Sequence, residues 1–217
     1  MEAYQIIGHI QNFSPLLGII LAVGLGLFMT KEIRYALIFL LSSLLVNISI
    51  FYFHAIYVGG RYLAELFVLL ILLSLVWTMY QESKKQKSLL VWGIILSSLY
   101  WGSQLALQPS NSTPSVSSVL GPLSIIILCF RYFYYFYQRE INITENISFL
   151  MICITYFYAA GGFFTKLSIE FIKANGGQFA YLWFIQSSVS IITYLAFAWL
   201  IWWVHQEIKP TKRNIIS

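Results

Sequence analysis

Seven apolar runs, each about as long as a membrane-spanning helix, follow one another along the 217 residues of the chain. A helix rises about 1.5 Å per residue, so about 20 apolar residues cross the roughly 30 Å hydrocarbon core of a bilayer. Hydrophobic residues make up 59% of the chain and charged residues 10%, whereas soluble domains carry roughly 25% charged residues. The sequence therefore predicts an all-α, polytopic transmembrane helix bundle, with residues 1–217 forming a single domain.

Short polar or charged segments separate the apolar runs and set the predicted ends of the helices. The predicted spans are Phe13–Met29, Tyr35–Tyr57, Tyr62–Tyr80, Leu89–Leu107, Val119–Tyr137, Ser148–Thr165 and Tyr181–Val204. The segment Lys166–Ala180 contains Leu167, Ile169 and Phe171, and could also extend the sixth span or lie in the membrane interface. Because the connections are short, we expect no soluble kinase, nucleotide-binding or nucleic-acid-binding domain.

The positions of the cations predict the orientation, because Lys and Arg are retained on the cytoplasmic side of a membrane. With the N-terminus outside, three of the thirteen Lys and Arg residues, Arg61, Lys166 and Lys173, fall on the outer side. The other ten fall on the inner side: Lys31, Arg34, Lys84, Lys85, Lys87, Arg131, Arg139, Lys209, Lys212 and Arg213. We therefore expect a multi-pass membrane protein, with residues 205–217 forming a short basic cytoplasmic tail.

Several membrane enzymes are excluded by residues that the chain lacks. It contains no aspartate and no His-Glu-x-x-His motif, which argues against aspartyl and zinc intramembrane proteases. His9, His54 and His205 fall near the ends of predicted spans, where they cannot pair with a mid-membrane serine nucleophile or hold a haem. Cys129 and Cys153 lack the Cys-x-x-Cys spacing of zinc sites. We assign no catalytic residue, metal site or cofactor.

Glu65 is the residue that most strongly indicates a ligand site, because a carboxylate in an apolar span must be paired, protonated or in contact with water. Arg61 precedes it by one helical turn, so an Arg61–Glu65 ion pair near the outer surface is one interpretation. The other is an outward-facing pocket for a polar or cationic ligand, formed by His54, Tyr57, Arg61 and Glu65 together with Gln104.

Amides and hydroxyls in other spans form a second candidate set, of which Asn47, Gln186 and Ser187 are the main members. Interhelical hydrogen bonds, worth roughly 0.6 kcal/mol each, are the structural interpretation. A polar path through the bundle is the functional interpretation, and a transporter would need one.

Small residues suggest where helices approach one another or end. Gly18, Ala22 and Gly26 recur every four residues and predict a groove for close helix packing. Gly59–Gly60, Gly161–Gly162 and Gly176–Gly177 predict turns or helix ends on the outer half.

Diffuse patterns resemble a group of small seven-helix membrane proteins of Bacteroidetes-type bacteria. They are His54-Ala-Ile-Tyr57 followed by Glu65-Leu-Phe, the segment Phe149–Lys166, and Leu182-Trp-Phe-Ile-Gln-Ser-Ser188 with Trp202–Trp203. In that group the last helix often carries His-Ser and then Asn, whereas this chain has Gln186-Ser187 and lacks the Asn. The resemblance implies a location in the bacterial inner membrane and an association with sensor histidine kinases.

Three functions are compatible with these observations. The first is a non-enzymatic receptor-like or signalling-accessory subunit that contacts membrane lipids and a cytoplasmic or membrane signalling partner. The second is a transporter of a small solute or a lipid. The third, a lipid-modifying enzyme, ranks last because no nucleophile and base lie at one depth.

Overall fold

The computed structural model describes residues 3–27, 33–52, 57–82, 87–106, 116–138, 146–174 and 180–213, and all of the regular structure in these ranges is helical. The helices are α1 (Ala3–Phe13), α2 (Pro15–Gly24), α3 (Arg34–Tyr52), α4 (Tyr57–Glu82), α5 (Lys87–Ala106), α6 (Val116–Tyr137), α7 (Ile147–Ala174) and α8 (Ala180–Arg213). Only Ser14 separates α1 from α2, so the described segments form seven rods.

Ser14 and Pro15 continue the first rod without a loop. The Ser14 N–H donates to the Ile10 carbonyl at 2.9 Å, and the Ser14 hydroxyl donates to the Gln11 carbonyl at 3.0 Å. Pro15 is the first residue of α2, where its missing N–H costs no helical hydrogen bond. A single apolar stretch, Ile6–Gly24, therefore runs through both segments.

The first rod ends in a glycine cap, earlier than the predicted Met29. Gly26 has φ +68°, and its N–H donates to the Val23 carbonyl at 3.0 Å. The Leu27 N–H donates to the Ala22 carbonyl at 2.9 Å, which completes a Schellman motif. Glycine fits the left-handed position because it has no Cβ. Gly26 therefore ends the helix, whereas the sequence pattern had placed it in a packing groove.

Each helix from α2 to α7 packs against its successor, and α8 also packs against α1 and α2, which closes the bundle. Gly18 permits the close approach of the first rod, because a Cβ there would lie 2.5 Å from Leu40 Cδ1 of α3 and 3.6 Å from Ala198 Cα of α8. The predicted packing role of Gly18 and the fully buried Ala22 is thus confirmed.

Four apolar stretches in the described residues are long enough to cross a membrane: Ile6–Gly24, Val119–Tyr137, Ile147–Ser168 and Phe184–Glu207. Three shorter apolar helices are Arg34–Ser49, Phe67–Gln81 and Leu90–Gly102. Large apolar side chains such as Leu45, Leu99 and Phe164 are about two-thirds exposed, as expected where lipid replaces water. The predicted all-α membrane helix bundle is confirmed, while the number of seven crossings stays a prediction.

The structure decides two sequence expectations at α7. The helix continues to Ala174, which confirms the alternative that the segment after Thr165 extends the sixth span. Gly161 and Gly162 lie inside α7, and the prediction that they mark a turn is wrong. A Cβ on Gly161 would lie 2.6 Å from Val189 Cγ1 of α8, so this glycine serves close packing of two helices. Gly176–Gly177 lies outside the described residues.

Candidate functional site: a polar cavity and a groove at opposite ends of the bundle

A cavity of about 170 Å³, here called the polar cavity, lies between α1, α3, α4, α6, α7 and α8. Its polar lining comes from amide, hydroxyl and ammonium side chains that belong to four different helices: Gln11, Ser43, Asn47, Tyr158, Lys166, Gln186, Ser190 and Tyr194. Apolar residues such as Phe67, Val68 and Ile71 close the side formed by α4. Polar groups from distant parts of the sequence thus meet in one space.

Some of these polar groups are held by hydrogen bonds and two are left available. Asn47 Nδ2 donates to the Gln11 carbonyl at 3.4 Å, which joins α3 to α1. The Ser190 hydroxyl donates to the Gln186 backbone carbonyl at 3.0 Å. Ser43 Oγ and Gln186 Oε1 are buried and have no hydrogen-bond partner among the described residues. A buried acceptor left unpaired costs roughly 1–3 kcal/mol, so a water or a ligand donor would be stabilised here.

The Tyr194 hydroxyl faces the side chains of Ser43 and Asn47 on α3. A phenol can both donate and accept, and so can a serine hydroxyl and a carboxamide. The lining therefore offers donors and acceptors close together, with the Lys166 cation as the charged member.

Gly162 and Pro122 help to create the open space. A Cβ on Gly162 would lie 3.9 Å from both Nε2 and Oε1 of Gln186 and from Pro122 Cγ, so the missing side chain leaves room. Pro122 lies inside α6 and lacks an N–H, which leaves the carbonyl of residue 118 without its usual helical partner. Such an interruption is tolerated in a membrane helix where neighbouring polar groups or water compensate for it.

A larger cavity of about 850 Å³, here called the groove, lies between α3, α4 and α7 at the other end of the bundle. Its lining combines one cation, several amides and hydroxyls, and apolar side chains: Arg34, Tyr35, Ile38, Leu70, Leu73, Ser74, Trp77, Thr78, Gln81, Asn146, Ile147, Ser148 and Met151. We call this the Arg34 end, where α3 and α7 begin and α4 ends. The Lys166 end is the opposite one.

An aromatic cluster centred on Phe39 lies between the groove and the polar cavity. Phe39 is fully buried, and its ring centroid lies 4.9 Å from Phe197, 5.2 Å from Tyr158, 5.9 Å from Phe67, 6.4 Å from Tyr194 and 6.5 Å from Tyr35. Tyr35 lines the groove, whereas Tyr158, Tyr194 and Phe67 line the polar cavity.

The register of α3 explains why these three features follow one another. Tyr35, Phe39, Ser43 and Asn47 are spaced four residues apart and share one face of the helix. Each step of four residues advances roughly 6 Å along the axis. A single face of α3 therefore contributes to the groove, the aromatic cluster and the polar cavity in turn.

The structure brings together two of the residues proposed for a polar path. Asn47 and Gln186 both line the polar cavity, whereas Ser187 is buried but does not line it. His54 lies outside the described residues, as do the side chains of Tyr57, Arg61, Glu65 and Gln104. The outward-facing pocket proposed for those five residues therefore stays a prediction.

Sequence reasoning missed Lys166 as a cavity residue, because the predicted sixth span ends at Thr165. Once α7 is known to continue, Ala159, Gly162 and Lys166 fall on one helical face at positions i, i+3 and i+7. That spacing was the available signal. Gln11 was missed because α1 lies largely before the predicted start of the first span at Phe13.

Within the described ranges, no group of three or more His, Cys, Asp or Glu side chains could hold a metal ion. The fold and the two cavities define a class: a membrane-embedded helix bundle with a polar cavity inside it. No protein-family model, curated protein or solved structure matches the chain.

Proposed function

We propose that the protein binds a small polar solute in the polar cavity and carries it across a bacterial inner membrane as a multi-pass transporter. The observation that supports this proposal best is the meeting of Asn47, Gln186 and Lys166 from three helices around one cavity. Desolvating such groups is costly, so a bundle stabilised only by packing would gain little from collecting them.

The size of the polar cavity indicates the size of the solute. A cavity of about 150 Å³ holds a single benzene-sized ring, and the polar cavity measures about 170 Å³. Drug-sized ligands occupy roughly 300–1,000 Å³. We therefore expect a solute of about six non-hydrogen atoms that both donates and accepts hydrogen bonds.

The aromatic cluster provides the barrier that a carrier requires. Phe39 and its neighbours fill the space between the polar cavity and the groove. Transport then needs a second arrangement of the bundle in which these rings separate, and the solute must bind both arrangements to different extents. At Gly18 and Gly161 the neighbouring helices approach closely because glycine has no side chain. This would let the helices slide past one another during such a change.

The predicted orientation places the Arg34 end in the cytoplasm and the polar cavity in the outer half of the membrane. On this arrangement the predicted outer residues join the same side, because Glu65 precedes the cavity residue Val68 by only three positions in α4. We expect His54, Tyr57, Arg61 and Glu65 to line the route from the outside to the cavity.

The experiment is a stopped-flow light-scattering assay on proteoliposomes exposed to gradients of urea, glycerol or glycine. Wild-type vesicles should re-swell faster than protein-free vesicles for at least one of the three solutes. A Gly162→Val variant should abolish the difference, because the added methyl groups enter the cavity. Gly102→Val is the matched control, since a Cβ on Gly102 would meet nothing within 4 Å.

Binding without transport would favour the receptor-like function instead. Equilibrium dialysis with the same radiolabelled solutes separates the two results. Retention of a solute by the wild type but not by Gly162→Val, with no flux, would replace transport by reception at the same cavity. The absence of both retention and flux for all three solutes would contradict the proposed solute class.

A further inference from the structure

The groove has the size and mixed chemistry of a ligand site that the proposed transport does not use. Its volume of about 850 Å³ lies within the roughly 300–1,000 Å³ typical of ligand pockets. Most of its polar residues, such as Arg34, Gln81 and Asn146, lie at the Arg34 end, and its apolar residues Leu70, Leu73 and Met151 lie deeper along α4 and α7. A molecule that fills the groove must therefore be polar at one end and apolar at the other.

The polar end of the groove favours an anion. The Arg34 side chain is exposed and lines the groove, and a guanidinium binds phosphate oxygens through paired hydrogen bonds. Ser148 is 8% exposed and lines the same space, where its hydroxyl can donate to an anion.

Backbone groups add to this preference. Asn146 Oδ1 accepts the Phe149 N–H at 2.9 Å and caps α7, which leaves the Asn146 amide hydrogens to donate into the groove. The N–H groups of Ile147 and Ser148 belong to the first turn of α7 and have no partner within that helix. Both residues line the groove, so the positive end of the helix dipole faces its polar part.

The wall formed by α4 points to a membrane lipid as the ligand. Leu70, Leu73 and Trp77 line the groove, and they are also 46%, 52% and 56% exposed on the outside of the bundle. Their spacing of i, i+3 and i+7 makes one continuous stripe. From Gln81 to Leu70 the helix advances eleven residues, roughly 16 Å, so the groove runs from headgroup level into the hydrocarbon layer.

We infer that the groove binds one anionic membrane lipid. Its phosphate contacts Arg34, Asn146 and Ser148, and its acyl chain lies along Leu70 and Leu73. A zwitterionic lipid binds more weakly, because its ammonium group is repelled by Arg34. The inference does not depend on solute transport, since the groove and the polar cavity share no residue.

Fluorescence quenching by brominated lipids tests this inference, because Trp77 reports on the groove. The signal is the difference between wild type and Trp77→Phe in vesicles containing brominated phosphatidylglycerol or brominated phosphatidylcholine. We expect phosphatidylglycerol to reach half-maximal quenching of Trp77 at about a tenfold lower lipid fraction than phosphatidylcholine. A difference in affinity of this size is expected from one charge-assisted hydrogen bond. Arg34→Gln should remove this preference, and Arg34→Lys should retain part of it.

Lys87→Gln is the matched control, because Lys87 is an exposed cation that does not line the groove. Equal quenching by the two lipids would overturn the inference. So would an equal loss of the phosphatidylglycerol preference in Arg34→Gln and Lys87→Gln. Inorganic phosphate at millimolar concentration distinguishes a free anion from a lipid. Relief of phosphatidylglycerol quenching by phosphate would assign the groove to a soluble anion and overturn the lipid assignment.

Discussion

The Tyr35 hydroxyl lies 2.9 Å from the Thr155 hydroxyl, and this hydrogen bond joins α3 to α7. Thr155 itself donates to the Met151 carbonyl at 2.9 Å, so its single hydrogen is committed and Tyr35 must be the donor. Thr155 is fully buried and Tyr35 borders the groove. The two partners are therefore unequal: without Thr155 the Tyr35 hydroxyl loses its acceptor, whereas without the Tyr35 hydroxyl Thr155 keeps its bond to Met151.

The first prediction follows from that inequality. Thr155→Val leaves the Tyr35 hydroxyl without its acceptor and should lower the free energy of unfolding by about 1–3 kcal/mol. Tyr35→Phe leaves Thr155 bonded to Met151 and should cost only about 0.6 kcal/mol. Equilibrium unfolding in mixed micelles measures both, and the double variant should be more stable than Thr155→Val alone. Equal costs for the two single variants would contradict the assigned direction.

The second prediction concerns packing of α5 against α4. A Cβ on Gly93 would lie 2.9 Å from the Val76 Cβ and would also clash with the Val76 methyl groups. Gly93→Ala should therefore destabilise the protein by about 1–3 kcal/mol. Adding Val76→Ala should restore part of the loss in the same unfolding assay. Gly102→Ala is the control and should be neutral or stabilising by up to about 1 kcal/mol, because its surroundings are open.

The third prediction tests the aromatic cluster as a barrier. Phe39→Ala removes the ring that contacts both Tyr35 and Tyr158, and such truncations cost about 3–5 kcal/mol in packed cores. In proteoliposomes that contain the folded Phe39→Ala variant, we expect faster solute flux than with the wild type. Phe130→Ala is the control, since Phe130 is 56% exposed. Unchanged or slower flux in a folded Phe39→Ala variant would show that the ring is not the barrier.

The fourth prediction separates the two interpretations of Glu65. An Arg61–Glu65 pair is indifferent to a swap of the charges, so Arg61→Glu combined with Glu65→Arg should regain the roughly 0.3–0.5 kcal/mol lost by Glu65→Gln. A route for a ligand does depend on which position carries the negative charge. We expect the swapped variant, and Glu65→Gln with His54→Ala, to lose flux. Wild-type flux in both would restrict Glu65 to the ion pair.

The fifth prediction concerns orientation. The ten-to-three division of cations predicts that the C-terminus lies in the cytoplasm. A green fluorescent protein fused after Ser217 should therefore fluoresce, and alkaline phosphatase at the same place should be inactive. The reverse pattern would turn the bundle over and place the groove on the outer side.

The class of fold was predictable from the sequence because the bilayer imposes it locally. Each apolar run must satisfy its own backbone hydrogen bonds, which only helices or closed barrels achieve in lipid. The α6 prediction, Val119–Tyr137, matches the apolar stretch within that helix. Helix ends were less predictable: the predicted spans begin at Phe13 and end at Thr165, so polar Gln11 and charged Lys166 fall just outside them, yet each lies within a helix and lines the polar cavity.

The sequence by itself determined that the chain is a helical membrane bundle and that Asn47 and Gln186 are polar residues within its spans. Only the tertiary structure decided that these two side chains share a cavity with Lys166, and that Phe39 separates this cavity from the groove. The physical reason is the range of the interactions. Hydrogen bonding and burial of the backbone act within one helix, whereas a cavity depends on which faces of several helices meet and on where a missing side chain, as at Gly162, leaves space.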